Sequence, residues 1–173
     1  MIRIRRPLPT DGPAIHDLIA RCSPLDPNSL YCNLLQCSHF ASTCILAEQD
    51  GRILSFISGY RLPEQHEVLF VWQVAVAPEA RGQGLALRLL QALLRQPGCG
   101  GVISLQTTIT PTNTASWALF QALARNLGAS LAQTQLFDRA THFRARHESE
   151  VLVSIGPLQS IAKNGADQNR RTA

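Results

Sequence analysis

Residues Leu69–Ala86 read LFVWQVAVAPEARGQGLA, a run of strand-forming residues that stops at Pro78 and opens into the turn Arg81-Gly82-Gln83-Gly84-Leu85-Ala86. Beyond the turn, Leu85, Leu89 and Leu93, with Leu90 and Leu94 beside them, recur at helical spacing. The backbone N–H groups of residues 82–86 therefore stand at a helix N-terminus, where they have no intrahelical partner. Together with the positive end of the helix dipole they form a site for phosphate, and the small residues let a bulky pyrophosphate approach the backbone.

The neighbouring segments extend this pattern. Ile2 and Ile4 alternate with Arg3 and Arg5 as a first strand, and Thr10-Asp11-Gly12-Pro13 supplies cap and first-turn residues for a helix that buries Ile15, Leu18, Ile19 and Cys22. A turn at Asp26-Pro27-Asn28 precedes a short helix from Ser29 to about Cys37. Cys44–Ala47 and Ile53–Tyr60 read as strands joined through Gln49-Asp50-Gly51, and Val68–Val76 as a fourth strand. After the glycine turn and its helix, Pro97-Gly98 marks a stop, Val102–Ile109 a fifth strand, and Thr112 or Asn113 the cap of a helix that Gly128 ends. Leu131–Phe137 and Val151–Ile155 are closing strands around a polar loop rich in Arg and His.

Composition bounds the function classes. A chain of 173 residues with 45% hydrophobic content holds one well-filled domain, expected over 2–157, followed by a disordered polar tail over 159–173. The formal charge of +4 includes +2 from Lys163, Arg170, Arg171 and Asp167, and the remaining basic residues are scattered, so no nucleic-acid partner is expected. No signal peptide or membrane-length apolar run is present, which points to a cytoplasmic location with no membrane partner. The five cysteines lie mostly in apolar patterns without a C-x-x-C pair, as reduced structural thiols do. Cys32, Cys37 and His39 fit no ligand module, and no metal is expected.

The loop Arg81, Gly84, Ala86 matches the signature Gln/Arg-x-x-Gly-x-Gly/Ala of the GNAT superfamily of acyl-CoA-dependent N-acyltransferases, and the order β-α-α-β-β-β-α-β-α-β-β resembles that fold over residues 2–157. The resemblance implies an α/β (α+β) architecture, a mixed and mostly antiparallel sheet of about seven strands flanked by about four helices. It implies acetyl-CoA as co-substrate, its phosphates on Arg81, Gly82, Gln83, Gly84, Leu85 and Ala86. The pantetheine arm would lie where the fourth and fifth strands splay, against backbone exposed at a bulge in Gln73-Val74-Ala75-Val76, with Val74 and Val76 in contact and a backbone N–H near Val74 as oxyanion donor. Asn113 matches the family's Asn that contacts the cofactor arm, a role compatible with a helix cap.

Two departures bear on mechanism. Phe120 stands where many members carry a tyrosine that protonates the departing thiolate, leaving that step to Asn113, water or another hydroxyl. No carboxylate lies between Glu67 and Glu79, so the fourth strand supplies no base. A base is still useful, because an amine of pKa about 10 is only about 0.1% neutral at pH 7, equivalent to about 4 kcal/mol of barrier. The candidates are Asp26, His147, Glu148 and Glu150; by charge pattern alone the last three also read as an ordinary solvated loop.

Wider segments are more specific. Leu25-Asp26-x-Asn28-Ser29-x-Tyr31, Cys37-x-His39-Phe40-Ala41-x-Thr43-Cys44, Phe70–Val76, Thr107-Thr108-x-Thr110-Pro111-x-Asn113-Thr114-Ala115-Ser116 and Glu148-x-Glu150 resemble the L-2,4-diaminobutyric acid acetyltransferase family of ectoine biosynthesis. That resemblance implies acetyl transfer to the γ-amino group of L-2,4-diaminobutyrate by a homodimer. It also implies an acceptor site made by Asp26, Tyr31, Trp72, His147, Glu148 and Glu150, and a catalytic set of Asn113, Glu148, Glu150 and the Val74 backbone. Trp72 and Tyr31 read equally as packed core residues, and His39 as a hydrogen-bonded structural histidine. Arg61 or a backbone nest are the options for the substrate carboxylate. A different small-amine acetyltransferase, or a non-catalytic acyl-CoA-sensing module, are the rival readings.

Overall fold

The computed structural model describes residues 1–159, so the expected tail lies, apart from Gln159, outside the described residues. In chain order the elements are β1 (Arg3–Arg5), α1 (Gly12–Ala20), α2 (Leu30–Ser38), β2 (Ile45–Gln49), β3 (Arg52–Leu62), β4 (Gln65–Val76), α3 (Leu85–Leu94), β5 (Ser104–Ile109), α4 (Thr114–Leu127), β6 (Ser130–Phe137) and β7 (Glu150–Gly156). The strands form one 7-stranded sheet in the order β1-β2-β3-β4-β5-β7-β6. Among the described residues only β4 and β5 run parallel, and the other pairings are antiparallel. The mixed, mostly antiparallel sheet and its four α-helices are the architecture that the sequence implied.

Local chemistry sets these elements. Asp50 and Gly51 both adopt positive φ, the conformation a two-residue hairpin turn needs to match the twist of its strands, and Gln49 pairs with Arg52 across it. The β3–β4 hairpin extends further than the apolar pattern suggested, to Leu62 and Gln65. Gln65, His66 and Glu67 are exposed, so backbone pairing continues there without a hydrophobic signature. β5 conversely starts at Ser104 rather than Val102, because the Val102 and Ile103 amides bond to Cys99 and Glu67 in a turn. Asp11 does not cap α1 with its side chain: the carboxylate accepts from the Leu8 amide and pairs with Arg5 at 2.7 Å, while Arg5 also reaches Glu48 at 2.6 Å.

One core unites the helices with the sheet. Leu85, Leu89, Leu90 and Leu93 of α3 are buried, as the helical spacing required, and each contributes about 1.5–3 kcal/mol of transfer free energy. Ile15, Leu18 and Ile19 of α1 join Phe56, Ile57, Leu105, Ile109, Val153 and Ile155 of the sheet. Ser55–Gly59 of β3 are buried without alternation, so both faces of the central strand are covered. Cys22 lies just beyond the end of α1, still buried, its thiol donating to the Val76 carbonyl.

The sheet forks at its centre. β4 and β5 pair only at Val68–Phe70 with Ser104–Gln106, after which β5 continues on β7 alone. From Val71 onward β4 has β3 on one side and no strand on the other, and the Thr107 hydroxyl closes the crotch with a 2.9 Å bond to the Val71 carbonyl. Across β3 and β4 the register steps from Ser58↔Gln73 to Gly59↔Val71, which leaves Trp72 as the extra residue of a bulge. The bulge thus sits immediately before the segment Gln73–Val76 where backbone exposure was expected.

Candidate active site

The glycine turn and the fork open into one cleft of about 590 Å³. Gly82 has φ +73 and Gly84 φ +68, the left-handed conformation that glycine adopts without strain, and Gly84 occupies the N-cap of α3. A Cβ placed on either would meet nothing within 4 Å, so open space lies over the backbone at the positive end of the helix. Val74, Val76, Arg81, Gly82, Gly84, Leu85, Ala86 and Asn113 all line the cleft. Among the expected cofactor residues Gln83 is not part of the lining; its side-chain amide donates to the Glu79 carbonyl. Arg81 donates through Nε to the Val76 carbonyl at 3.2 Å, tying the turn to the end of β4. An apolar shaft along an unpaired strand edge, with bare helix amides at its mouth, fits the thioester arm and pyrophosphate of an acyl-CoA.

The opposite wall comes from α4. Asn113 caps that helix, its Oδ1 accepting from the Ser116 amide at 3.1 Å, while the residue also faces the cleft. Ala115, Ala118 and Ala122 continue the wall with small side chains, a spacing that marks a helix face approached by something bulky and that went unread in the sequence. Ser23 and Pro24, after α1, also line the cleft and were missed, since no periodicity marks them, while Cys22 was read only as part of the helix's buried face. Phe120 is buried in the core, and the hydroxyl that α4 offers to the cleft is that of Ser116.

Beyond the α4 end of the fork, three remote segments converge. His147 stands between two carboxylates, with Nε2 3.9 Å from Asp26 Oδ2 and Nδ1 4.0 Å from Glu150 Oε1. Its Nδ1 also lies 2.8 Å from the Glu148 carbonyl oxygen. The Thr112 hydroxyl donates to Glu148 Oε2 at 2.7 Å, holding that side chain against the start of α4. Glu150 opens β7 half-buried, and burial pushes its carboxyl above the usual carboxylate range, reinforced by the charges of Asp26 and Glu148 and opposed by the Thr108 hydroxyl and His147. Asp26, by contrast, has a side chain 87% exposed. Asp26 and Glu150 are thus brought to one histidine from distant parts of the chain, while Asp26 and Glu148 keep their carboxylates exposed.

Phe143 lies 4.8 Å from His147, and a separate aromatic cluster spans β3 and β4. Trp72, the bulge residue, is 47% exposed and therefore not a core residue; it meets Tyr60 edge-on at 6.3 Å. Tyr60 in turn lies 5.3 Å from Phe70 and 6.4 Å from Phe40. Tyr60, Phe40 and Phe70 were not singled out from sequence, because strand aromatics pack in any fold. Tyr31 is exposed in the first turn of α2, and His39 is exposed at the helix's C-cap rather than buried in a hydrogen-bonded niche. Arg61 is unavailable to a substrate carboxylate, since its guanidinium donates to the carbonyls of His66, Gly98 and Gly100. Among the described residues, no group of three or more His, Cys, Asp or Glu is arranged to hold a metal ion.

Residues 13–124 match the model of the acetyltransferase (GNAT) family. Over 161 residues the chain is 47% identical to an L-2,4-diaminobutyric acid acetyltransferase of Methylotuvimicrobium alcaliphilum, covering 93% of this chain and 94% of that protein. An enzyme of the same name from Vibrio cholerae is 51% identical over 156 residues, covering 90% of each. The solved structure of diaminobutyrate acetyltransferase EctA from Paenibacillus lautus, in complex with its substrate L-2,4-diaminobutyric acid and coenzyme A, superimposes with a TM-score of 0.87 at 40% identity, covering 91% of this chain and 95% of that one.

Proposed function

The chain belongs to the acetyltransferase (GNAT) family, and from that premise we propose that it transfers acetyl from acetyl-CoA to the γ-amino group of L-2,4-diaminobutyrate, giving N4-acetyl-L-2,4-diaminobutyrate for ectoine biosynthesis. The observation that supports the acceptor is the approach of Asp26 and Glu150 to His147, at 3.9 and 4.0 Å, with Glu148 held beside the cleft residue Asn113 by the Thr112 hydroxyl. A diamino acid brings two ammonium groups into this acidic mouth. Charge complementarity then favours it over monoamines.

Each residue acquires a task from its position. The loop amides of residues 82–86 and the α3 dipole hold the pyrophosphate, and the free edge of β4 at Val74 and Val76 pairs with the amides of the arm. The Val74 N–H is the donor to the thioester oxygen as it becomes negative. Glu150 is the general base: a carboxylate whose pKa is raised by burial accepts the ammonium proton more readily than a solvated one. His147, 4.0 Å from Glu150, passes that proton outward, Asp26 and Glu148 hold ammonium groups, and Trp72 and Tyr31 wall the acceptor. The neutral amine nitrogen attacks the thioester carbon, the C–S bond breaks as the tetrahedral species collapses, and the second proton of that nitrogen passes through water or the Ser116 hydroxyl to the departing thiolate, in place of the absent tyrosine.

The test is regiochemical. Acetyl-CoA with L-2,4-diaminobutyrate gives a product whose NMR spectrum carries acetyl on the γ-nitrogen; an α-acetylated product, or equal turnover of unrelated monoamines, overturns the assignment. The same reading carries a homodimer and a cytoplasmic enzyme. Exposed Leu136 and Phe137 on the edge strand β6 support the first, and five free thiols, which suit a reducing compartment, support the second. Light scattering of the purified protein tests the dimer.

A further inference from the structure

Gln73 is the one polar side chain of β4 that points under the acceptor site and is buried, at 9% exposure. It is not a base, and no titration is available to it. Both ends of its amide are nevertheless occupied: Nε2 donates to the Asp26 carbonyl at 3.0 Å, and Oε1 accepts from Asn28 Nδ2 at 3.0 Å. The segment it grips joins α1 to α2 and is otherwise poorly anchored. Ser23, Pro24, Asp26, Pro27 and Ser29 are all exposed, and the Asp26 carboxylate stands out into solvent. Apart from His147 Nε2 at 3.9 Å, beyond hydrogen-bond reach, this carboxylate takes its position from its backbone.

We propose that Gln73 is a positioning residue that sets amine specificity by fixing Asp26 relative to the oxyanion donor. It follows the bulge residue Trp72 and precedes Val74, so the same two residues of β4 reference the acceptor loop and the thioester carbon. A side chain anchored on the strand that activates the acetyl group translates any displacement of the loop into a change in nucleophile distance. An error of about 1 Å there costs on the order of 100-fold in rate. The proposal rests on the reading of Asp26 as an ammonium-binding residue, and it adds that this residue works only while held from below.

Gln73→Leu keeps the volume and removes both bonds; Asn28→Ala removes one without touching the sheet. Steady-state kinetics of both variants, alone and combined with Asp26→Asn, provide the test. Gln73→Leu should raise KM for L-2,4-diaminobutyrate about 10-fold, leave KM for acetyl-CoA within about 2-fold, and narrow the preference over ornithine; Asn28→Ala should do the same more weakly. In the Asp26→Asn background the further change should largely vanish, because the two residues act as one unit. A Gln73→Leu enzyme with unchanged amine KM and selectivity overturns the proposal, as does an equal loss for both substrates or a full additional loss on top of Asp26→Asn. Asp26→Asn alone reports on the underlying reading: if it raises the amine KM while Gln73→Leu does not, the site stands and the strut falls. If it has no effect, both fall. Should Gln73→Leu not fold, the Asn28→Ala result decides by the same criteria.

Discussion

The two ends of the cleft are built on different principles. The acyl-CoA end is made of backbone: bare amides at the N-terminus of α3, two glycines with positive φ, and an unpaired strand edge from Val71 to Val76. The proposed acceptor end is made of side chains brought from residues 26, 72–73 and 147–150, with Gln73 hydrogen-bonded to the Asp26 carbonyl and His147 within 4.0 Å of Asp26 and Glu150. Backbone recognition depends on a few contiguous residues and is shared by any acyl-CoA enzyme of this architecture. Side-chain recognition is specific to one amine and is open to change residue by residue.

That contrast breaks if a mutation at one end disturbs binding at the other. The largest effect is expected for Gly84→Glu, which puts a carboxylate and a strained φ in the phosphate cradle. Acetyl-CoA affinity should fall more than about 100-fold by calorimetry, while the strain costs about 1–2 kcal/mol and leaves the protein folded. Glu150→Gln should lower kcat by about 100-fold or more with acetyl-CoA affinity unchanged. Protonation removes the base, so kcat/KM of the unaltered enzyme should fall as pH drops through the Glu150 pKa, at a midpoint above the usual glutamate range; the variant should lack that limb. Ornithine and 2,3-diaminopropionate, which misplace the nucleophile by one methylene, should react about 100-fold more slowly, and equal rates would show that the acceptor end measures charge without distance. Removal of residues 160–173 should change neither end. Their sequence has no apolar periodicity, and the last anchor before them is Leu158, buried and bonded through its amide to the Ile103 carbonyl. A fall of several degrees in Tm would refute this.

The same contrast explains what was legible in the sequence. Leu85, Leu89 and Leu93 announce α3, Gly82 and Gly84 announce the turn, and Asp50-Gly51 announces a hairpin, because each is a local pattern with one physical solution. Asn113 was readable as a helix cap for the same reason, and as a cleft residue from the family resemblance. Trp72 was ambiguous: aromatics in strands usually pack, whereas the alternation of burial through Val71, Trp72 and Gln73 leaves it on the more exposed face of β4. Gln73 was dismissed once it failed as a base, since its partners Asp26 and Asn28 lie 47 and 45 residues away. Arg61 looked free until the carbonyls of Gly98 and Gly100 arrived from the turn after α3. Pairings between distant segments carry no local signature, and the acceptor end consists of little else.

The fork gives the thioester a structural role besides its chemical one. On the proposed reading, two sheet halves that share three residue pairs at Val68–Phe70, plus the Thr107 bond, are bridged along Val71–Val76 by a ligand whose amides take the place of a strand. Binding therefore adds directly to folding: at 100 times the dissociation constant it contributes about 2.7 kcal/mol, worth about 5–10 °C in Tm for a chain of this size. Amide protons of Val71–Val76 should then exchange more slowly in the complex than in the free protein. The lifetime of the folded chain is thereby coupled to the acetyl-CoA level around it.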